Sequence, residues 1–193
     1  NAHHIICDGT SLQTLFSDLL ALYRGTTLSP EPVPYSEYAR FEQSAAQQKL
    51  QARHAQYWRD LFSDGGNRLE LPAHRQRPRV KRLQGETVRW TLTKKEKERV
   101  EALARTQHTT LFMALLSGYA LVLARISGQT DLVIGTVLEG RRSLRWQNTV
   151  GMFVNTLPLR IRIDPQRDVA HLMAATQKAT VELLAHGETP FDD

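Results

Sequence analysis

Apolar residues at Leu12, Leu15, Phe16, Leu19, Leu22 and Tyr23 recur every three to four positions. That is the period of an amphipathic helix, predicted here over residues 11–23 with Gly25 as its stop. Residues 29–34 hold three prolines and read as extended. A second helical region, rich in Gln and Ala, runs from about Ser36 to Leu61, with Tyr38, Phe41, Tyr57, Trp58 and Leu61 as apolar anchors and Gly65 and Gly66 closing it. The proline- and arginine-rich residues 67–83 read as a connection between lobes. In residues 86–92, Val88, Trp90 and Leu92 alternate with Thr87, Arg89 and Thr91, which predicts a strand. Thr93 followed by Glu96 has the form of a capping box, opening a helix to about Thr106 with Val100 and Leu103 inward. Residues 111–126 predict a strongly apolar core helix. Short β-branched runs at 131–137 and 154–163 predict buried strands, the second alternating through Leu157, Leu159, Ile161 and Ile163. Residues 168–185 are helical again. Helices and strands mix throughout, so the expected class is α/β or α+β. No internal repeat or low-complexity segment interrupts it.

The 193 residues allow one or two domains. With 41% hydrophobic and 23% charged residues the composition is that of a globular soluble protein. No apolar run approaches the roughly 18 residues of a membrane span, and none has the form of a secretory signal. The single cysteine, Cys7, excludes an internal disulfide and fits a reducing compartment, most simply the cytoplasm. The net charge of +5 is concentrated in Arg75, Arg77, Arg79, Lys81 and Arg82 and in Arg141, Arg142 and Arg145. Neither stretch interleaves aromatics or belongs to a nucleic-acid recognition module. A solvated linker is the plain reading, contact with an acidic protein the sharper one. His54, His74, His108 and His171 have no metal-ligand spacing, and no metal site is expected.

The chemistry starts at the first residues. His3, His4, Asp8 and Gly9 form the pattern HHxxxDG. A neutral imidazole can take a proton from an attacking amine, hydroxyl or thiol. A buried carboxylate can hold the surrounding loop through a salt bridge, and glycine permits a sharp turn from a strand into the helix that follows. Four further segments stand in order behind it: Tyr35-Ser36-Glu37-Tyr38-Ala39, Asp131-Leu132-Val133-Ile134-Gly135-Thr136, the run from Val150 to Arg160, and His186-Gly187-Glu188-Thr189-Pro190-Phe191-Asp192. Together with HHxxxDG they resemble the ordered motifs of nonribosomal peptide synthetase condensation domains. Glu37 and Asp192 replace the family's usual Asp and Glu.

The resemblance implies a two-lobed fold like that of chloramphenicol acetyltransferase. Residues 1–75 would be the end of the first lobe, with HHxxxDG, and residues 76–193 an incomplete second lobe. It implies that a peptidyl or acyl thioester and an aminoacyl thioester, each on the phosphopantetheine arm of a carrier protein, meet in a tunnel and form an amide. The expected partners are donor and acceptor carrier domains and a neighbouring adenylation domain, with no nucleic acid and no membrane. No cofactor binds directly. His4 matches the histidine at the tunnel centre, as general base or as a group orienting the amine. An imidazole, which titrates near neutrality, suits that step. His3 packs or holds backbone, with direct catalysis as the alternative. Asp8 pairs with an arginine that shapes the site, and the Gly9 amide lies near the reacting centre, where a side chain would intrude. Gly151, Phe153 and Asn155 belong to the loop approaching the tunnel. Phe153 is a packing residue, and Asn155 is open to either loop backbone or substrate. Arg160 makes a structural pair. Cys7 occupies a variable motif position and reads as a buried, inert thiol.

The family carries about a lobe of chain before its HHxxxDG, including the arginine expected to pair with Asp8, and continues beyond its last motif. The chain therefore reads as the middle of such a domain. Two other functions compete. An epimerization domain shares HHxxxDG, but Gly9-Thr10-Ser11-Leu12 and Phe153-Val154-Asn155-Thr156 favour condensation. A catalytically silent docking platform would have no chemical reason to keep His4, Asp8 and Gly9.

Overall fold

A computed structural model describes residues 3–28, 31–72, 79–80 and 85–189. In the expected charged linker, Arg75, Arg77, Lys81 and Arg82 lie outside the described residues, as do His74 and the Pro190-Phe191-Asp192 end of the last motif.

Among the described residues, six α-helices and two strands follow in the order α1 (Gly9–Tyr23), α2 (Tyr35–Glu42), α3 (Ala45–Leu61), α4 (Lys94–Thr106), α5 (Leu111–Ser127), β1 (Asp131–Glu139), β2 (Val154–Arg162) and α6 (Val169–Ala185). The chain forms two compact units interleaved in sequence. The first takes Asn1–Ser63, Gly135–Leu157 and Ala185–Asp193; the second takes Asp64–Ile134 and Pro158–Leu184. Hydrogen bonds from Ile163 N to Thr130 O and from Gly140 N to Phe153 O bracket the β1–β2 ladder, whose register is antiparallel.

In the first unit α1 begins where Asp8 caps it, its side chain accepting from the Ser11 amide. A turn over residues 4–6, not a strand, precedes the cap. The helix ends before Gly25, whose φ of +71° is the left-handed conformation expected of a stop. Its predicted apolar stripe is exposed at Leu15, Phe16, Leu19 and Tyr23. The helix expected over 36–61 is two helices. Ser44 breaks it by capping α3, its hydroxyl accepting from the Gln47 amide.

In the second unit Thr93 and Glu96 form the expected capping box at α4. Val100 packs against buried Ala104, Ala114 and Met173, whereas Leu103 is half exposed and turned away. Leu159 and Ile161 are buried from β2, as the pattern predicts, and Leu132 and Leu172 are buried in the same unit. The strand expected at 86–92 is not formed. Val88 is 93% and Trp90 82% exposed, and no ladder partner lies beside them among the described residues. Alternation gives a segment two faces, but a strand also needs a neighbour for its N–H and C=O groups. Among the described residues no single helix is long and apolar enough to cross a membrane.

Candidate active site

The first unit brings three of the sequence segments together around Asp8. Its carboxylate is 1% exposed. Oδ1 accepts from the Ser11 amide at 2.8 Å, the Ser11 hydroxyl at 2.7 Å and Arg141 Nη2 at 2.9 Å. Oδ2 accepts from the Phe153 amide at 3.1 Å, and the Asp8 amide donates to Gly151 O at 3.2 Å. Burial alone would raise the Asp8 pKa. The Ser11 amide and hydroxyl, the Arg141 guanidinium and the Phe153 amide outweigh it and hold the carboxyl below its ordinary value. Asp8 is therefore an anion at neutral pH with both oxygens engaged.

Arg141, 3% exposed at its side chain, is the cation of this pair. Its Nη1 also donates to the carbonyls of Trp146 and Thr149, at 2.8 and 2.5 Å. Its guanidinium carbon stands 4.0 Å over the Phe153 ring. Among the described residues the arginine paired with Asp8 is Arg141, 133 residues downstream, where the expectation placed one upstream of His3. In the run expected to be solvated, Arg141 is buried, whereas Arg142 and Arg145 remain exposed and are also paired. Arg142 pairs with Glu188 at 3.0 Å, and Arg145 approaches Glu37 at 3.7 Å while lying over Trp146. These positive charges are answered within the chain.

Phe153 is the meeting point of the segments. Its buried ring packs edge-on to Tyr35 at 5.2 Å and tilted against Tyr38 at 4.5 Å. Tyr35 in turn donates from its hydroxyl to Met152 O at 2.6 Å. Gly151 has no side chain because the Tyr35 ring occupies the place a Cβ would take. Asn155 Nδ2 donates to Gly187 O at 3.3 Å and Thr189 O at 2.6 Å, so its amide holds the backbone of the last motif. Tyr38, Glu42, Arg142, Phe153, Asn155 and Glu188 line a cavity of about 570 Å³. His3, His4, Asp8 and Gly9 do not line it.

The histidines sit on the turn before α1. His3 Nδ1 accepts from the Ile5 amide at 3.1 Å, a backbone-holding contact. His4 is exposed, with no hydrogen-bond partner among the described residues. Gly9 is the first residue of α1. A Cβ built there meets nothing within 4 Å, so among the described residues crowding does not account for the glycine. The Cys7 thiol is buried, 3.9 Å from His3 O.

In the second unit Arg160 is a structural residue. Its guanidinium, 3% exposed, grips Asp64 through Nη1 and Nη2 at 2.7 and 2.8 Å and Asp131 through Nε at 2.9 Å. The Arg160 hydrogen bond is the chief cause that lowers both carboxyl pKa values, and the two carboxylates raise that of the guanidinium.

The model of the condensation domain matches this chain from residue 1 to residue 193. The chain belongs to the condensation-domain family. Its relatives are peptide synthetase subunits. It is 36% identical over 191 residues to surfactin synthase subunit 2 of Bacillus subtilis (strain 168), covering 99% of this chain and 5% of that protein. It is 34% identical over 190 residues to tyrocidine synthase 3 of Brevibacillus parabrevis, covering 98% of this chain and 3% of that protein. Among solved structures, the first condensation domain of the CDA synthetase matches with a TM-score of 0.80 and 26% identity, over 100% of this chain and 43% of that one. The X-domain from teicoplanin biosynthesis matches with a TM-score of 0.87 and 25% identity, over 99% and 45%. The mixed helix and strand architecture is thus that of the condensation domain, with its chloramphenicol acetyltransferase-like fold. The chain spans 5% or less of these curated relatives and under half of these solved chains.

Proposed function

We propose that this condensation-domain chain serves amide-bond formation in nonribosomal peptide synthesis. The substrates are an acyl or peptidyl thioester on a donor carrier and an aminoacyl thioester on an acceptor carrier, each on a phosphopantetheine arm. A neighbouring adenylation domain supplies the activated amino acid. The acceptor's ammonium loses a proton, and its nitrogen attacks the donor carbonyl. The tetrahedral intermediate collapses, the C–S bond breaks, and the donor arm leaves as a thiolate that takes up a proton. The lengthened peptide remains on the acceptor.

The observation that carries this reading is the division of labour within HHxxxDG. Asp8 has both carboxylate oxygens engaged by Ser11, Arg141 and Phe153 and acts as anchor. His3 Nδ1 is engaged by the Ile5 amide. His4 is exposed on the anchored turn, its imidazole unengaged among the described residues, and is the group assigned to receive or orient the amine proton. Gly151, Phe153 and Asn155 act in this reading as the scaffold behind the turn.

The test uses the full-length protein that carries this chain, with a loaded donor carrier and a loaded acceptor carrier. Intact-mass analysis of the acceptor is run for the wild type and for His4→Ala. An acceptor heavier by the donor acyl group, absent with His4→Ala, is the expected result. An acceptor of unchanged mass with the wild type would refute condensation and leave a silent platform or an epimerase.

A further inference from the structure

We infer that Ser11 is a positioning residue for the condensation reaction, its buried hydroxyl locking the histidine-bearing turn onto the backbone of Gly151; this rests on the function proposed above. Ser11 stands on the first turn of α1 and is 0% exposed. Its Oγ lies 2.7 Å from Asp8 Oδ1 and 2.8 Å from Gly151 O. It accepts from Gly151 N at 3.0 Å and from Arg141 Nη2 at 2.8 Å. A serine hydroxyl has one proton and two lone pairs. Here two donors fill the lone pairs and two acceptors share the proton, so the oxygen has four polar neighbours and no exposure to solvent.

Those neighbours belong to both sides of the junction that holds the turn. Asp8 is four residues from His4, and Gly151 is 140 residues from Ser11. Among the described residues, the backbone hydrogen bond joining residues 3–8 to the later chain is Asp8 N to Gly151 O. Ser11 Oγ touches the same carbonyl and the amide of the same residue. The Gly151 peptide is itself pinned from another side by the Tyr35 ring, which fills the place of a Cβ. The anchor is therefore fixed, and the hydroxyl transmits its position to Asp8 and the turn. Without that oxygen, Gly151 N loses its acceptor and Asp8 Oδ1 loses a donor. The turn can then shift, and displacement of a reacting group by about 1 Å costs on the order of 100-fold in rate.

The test compares wild type, Ser11→Ala and Ser11→Cys in the full-length protein with loaded carriers, measuring kcat and the KM for the acceptor carrier. Val100→Ala, which trims the Ala104, Ala114 and Met173 cluster of the other unit, is the destabilised control. Ser11→Ala is expected to lower kcat about 10- to 100-fold while KM stays within about twofold. Ser11→Cys keeps a weak donor on a somewhat larger side chain; it should fall between the two and stands in for Ser11→Ala if that variant does not fold. A Ser11 variant with wild-type kcat would overturn the assignment. So would Val100→Ala losing kcat to the same extent. Wild type that forms no product would instead sink the condensation reading itself, and this proposal with it.

Discussion

The buried pair of Asp8 and Arg141 makes a quantitative prediction. Both side chains are almost wholly inaccessible, and their contact is 2.9 Å. Arg141→Met removes the cation that, among the described residues, pairs with the Asp8 carboxylate and leaves three donors there, two from Ser11 and one from Phe153. It also strips the Trp146 and Thr149 carbonyls of their donor. Asp8→Asn leaves the guanidinium as the uncompensated charge. Removing one partner of a buried pair costs about 3–5 kcal/mol, whereas removing both charges together is far milder. Each single variant should therefore lose about 3–5 kcal/mol, and the double variant no more than either single, so that the coupling energy is at least about 3 kcal/mol. The assay is urea unfolding of the full-length protein, followed by tryptophan fluorescence, in which buried Trp146 reports on this site. With m near 2 kcal/mol/M, each single variant should move the midpoint by about 1.5–2.5 M. Single variants costing under about 1 kcal/mol, or a cycle that is additive within error, would refute the buried-pair reasoning.

Three further outcomes are expected. Gly151→Ala would drive a methyl into the Tyr35 ring and should destabilise by about 1–3 kcal/mol, read as a lowered thermal midpoint that Tyr35→Ala in the same chain partly restores. The folded-state pKa of Asp8 is depressed, so its contribution is fully present above the unfolded carboxyl value of about 3.9 and is lost as pH falls through the lower folded value. Urea midpoints measured from pH 6 to pH 2 should therefore fall more steeply for wild type than for Asp8→Asn. Arg160→Met leaves Asp131 facing no buried guanidinium and should cost about 3 kcal/mol. Hydrogen exchange should accelerate at the Thr130–Ile163 end of the β1–β2 ladder before it does at the Gly140–Phe153 end.

Local signals served well where they are self-contained. Thr93 and Glu96 announce α4 because a capping box closes on its own residues. The alternation of Leu157, Leu159 and Ile161 announces β2 because its ladder partner lies nearby in the chain. The break between α2 and α3 was legible too: Ser44 followed three residues later by Gln47 is a capping pattern, masked by the Ala- and Gln-rich run around it. Val88 and Trp90 mislead because alternation carries no information about a partner strand. Arg141 was illegible for another reason. It lies in a run of arginines that reads as surface, and what buries it is a carboxylate 133 residues away. Ser11 was equally silent, since a serine in a first helical turn is ordinary until Gly151 is placed beside it.

The most direct test of the account is the single-turnover rate of acyl transfer between loaded carriers, measured by rapid quench for the wild type and His4→Ala in the full-length protein. A positioned acid–base group contributes about 10²–10⁴ in rate. The account predicts transfer by the wild type and a loss of that size with His4→Ala, at unchanged carrier affinity. Equal rates for the two proteins would contradict it, and would move the chemistry away from the histidine turn that Asp8, Ser11 and Arg141 hold in place.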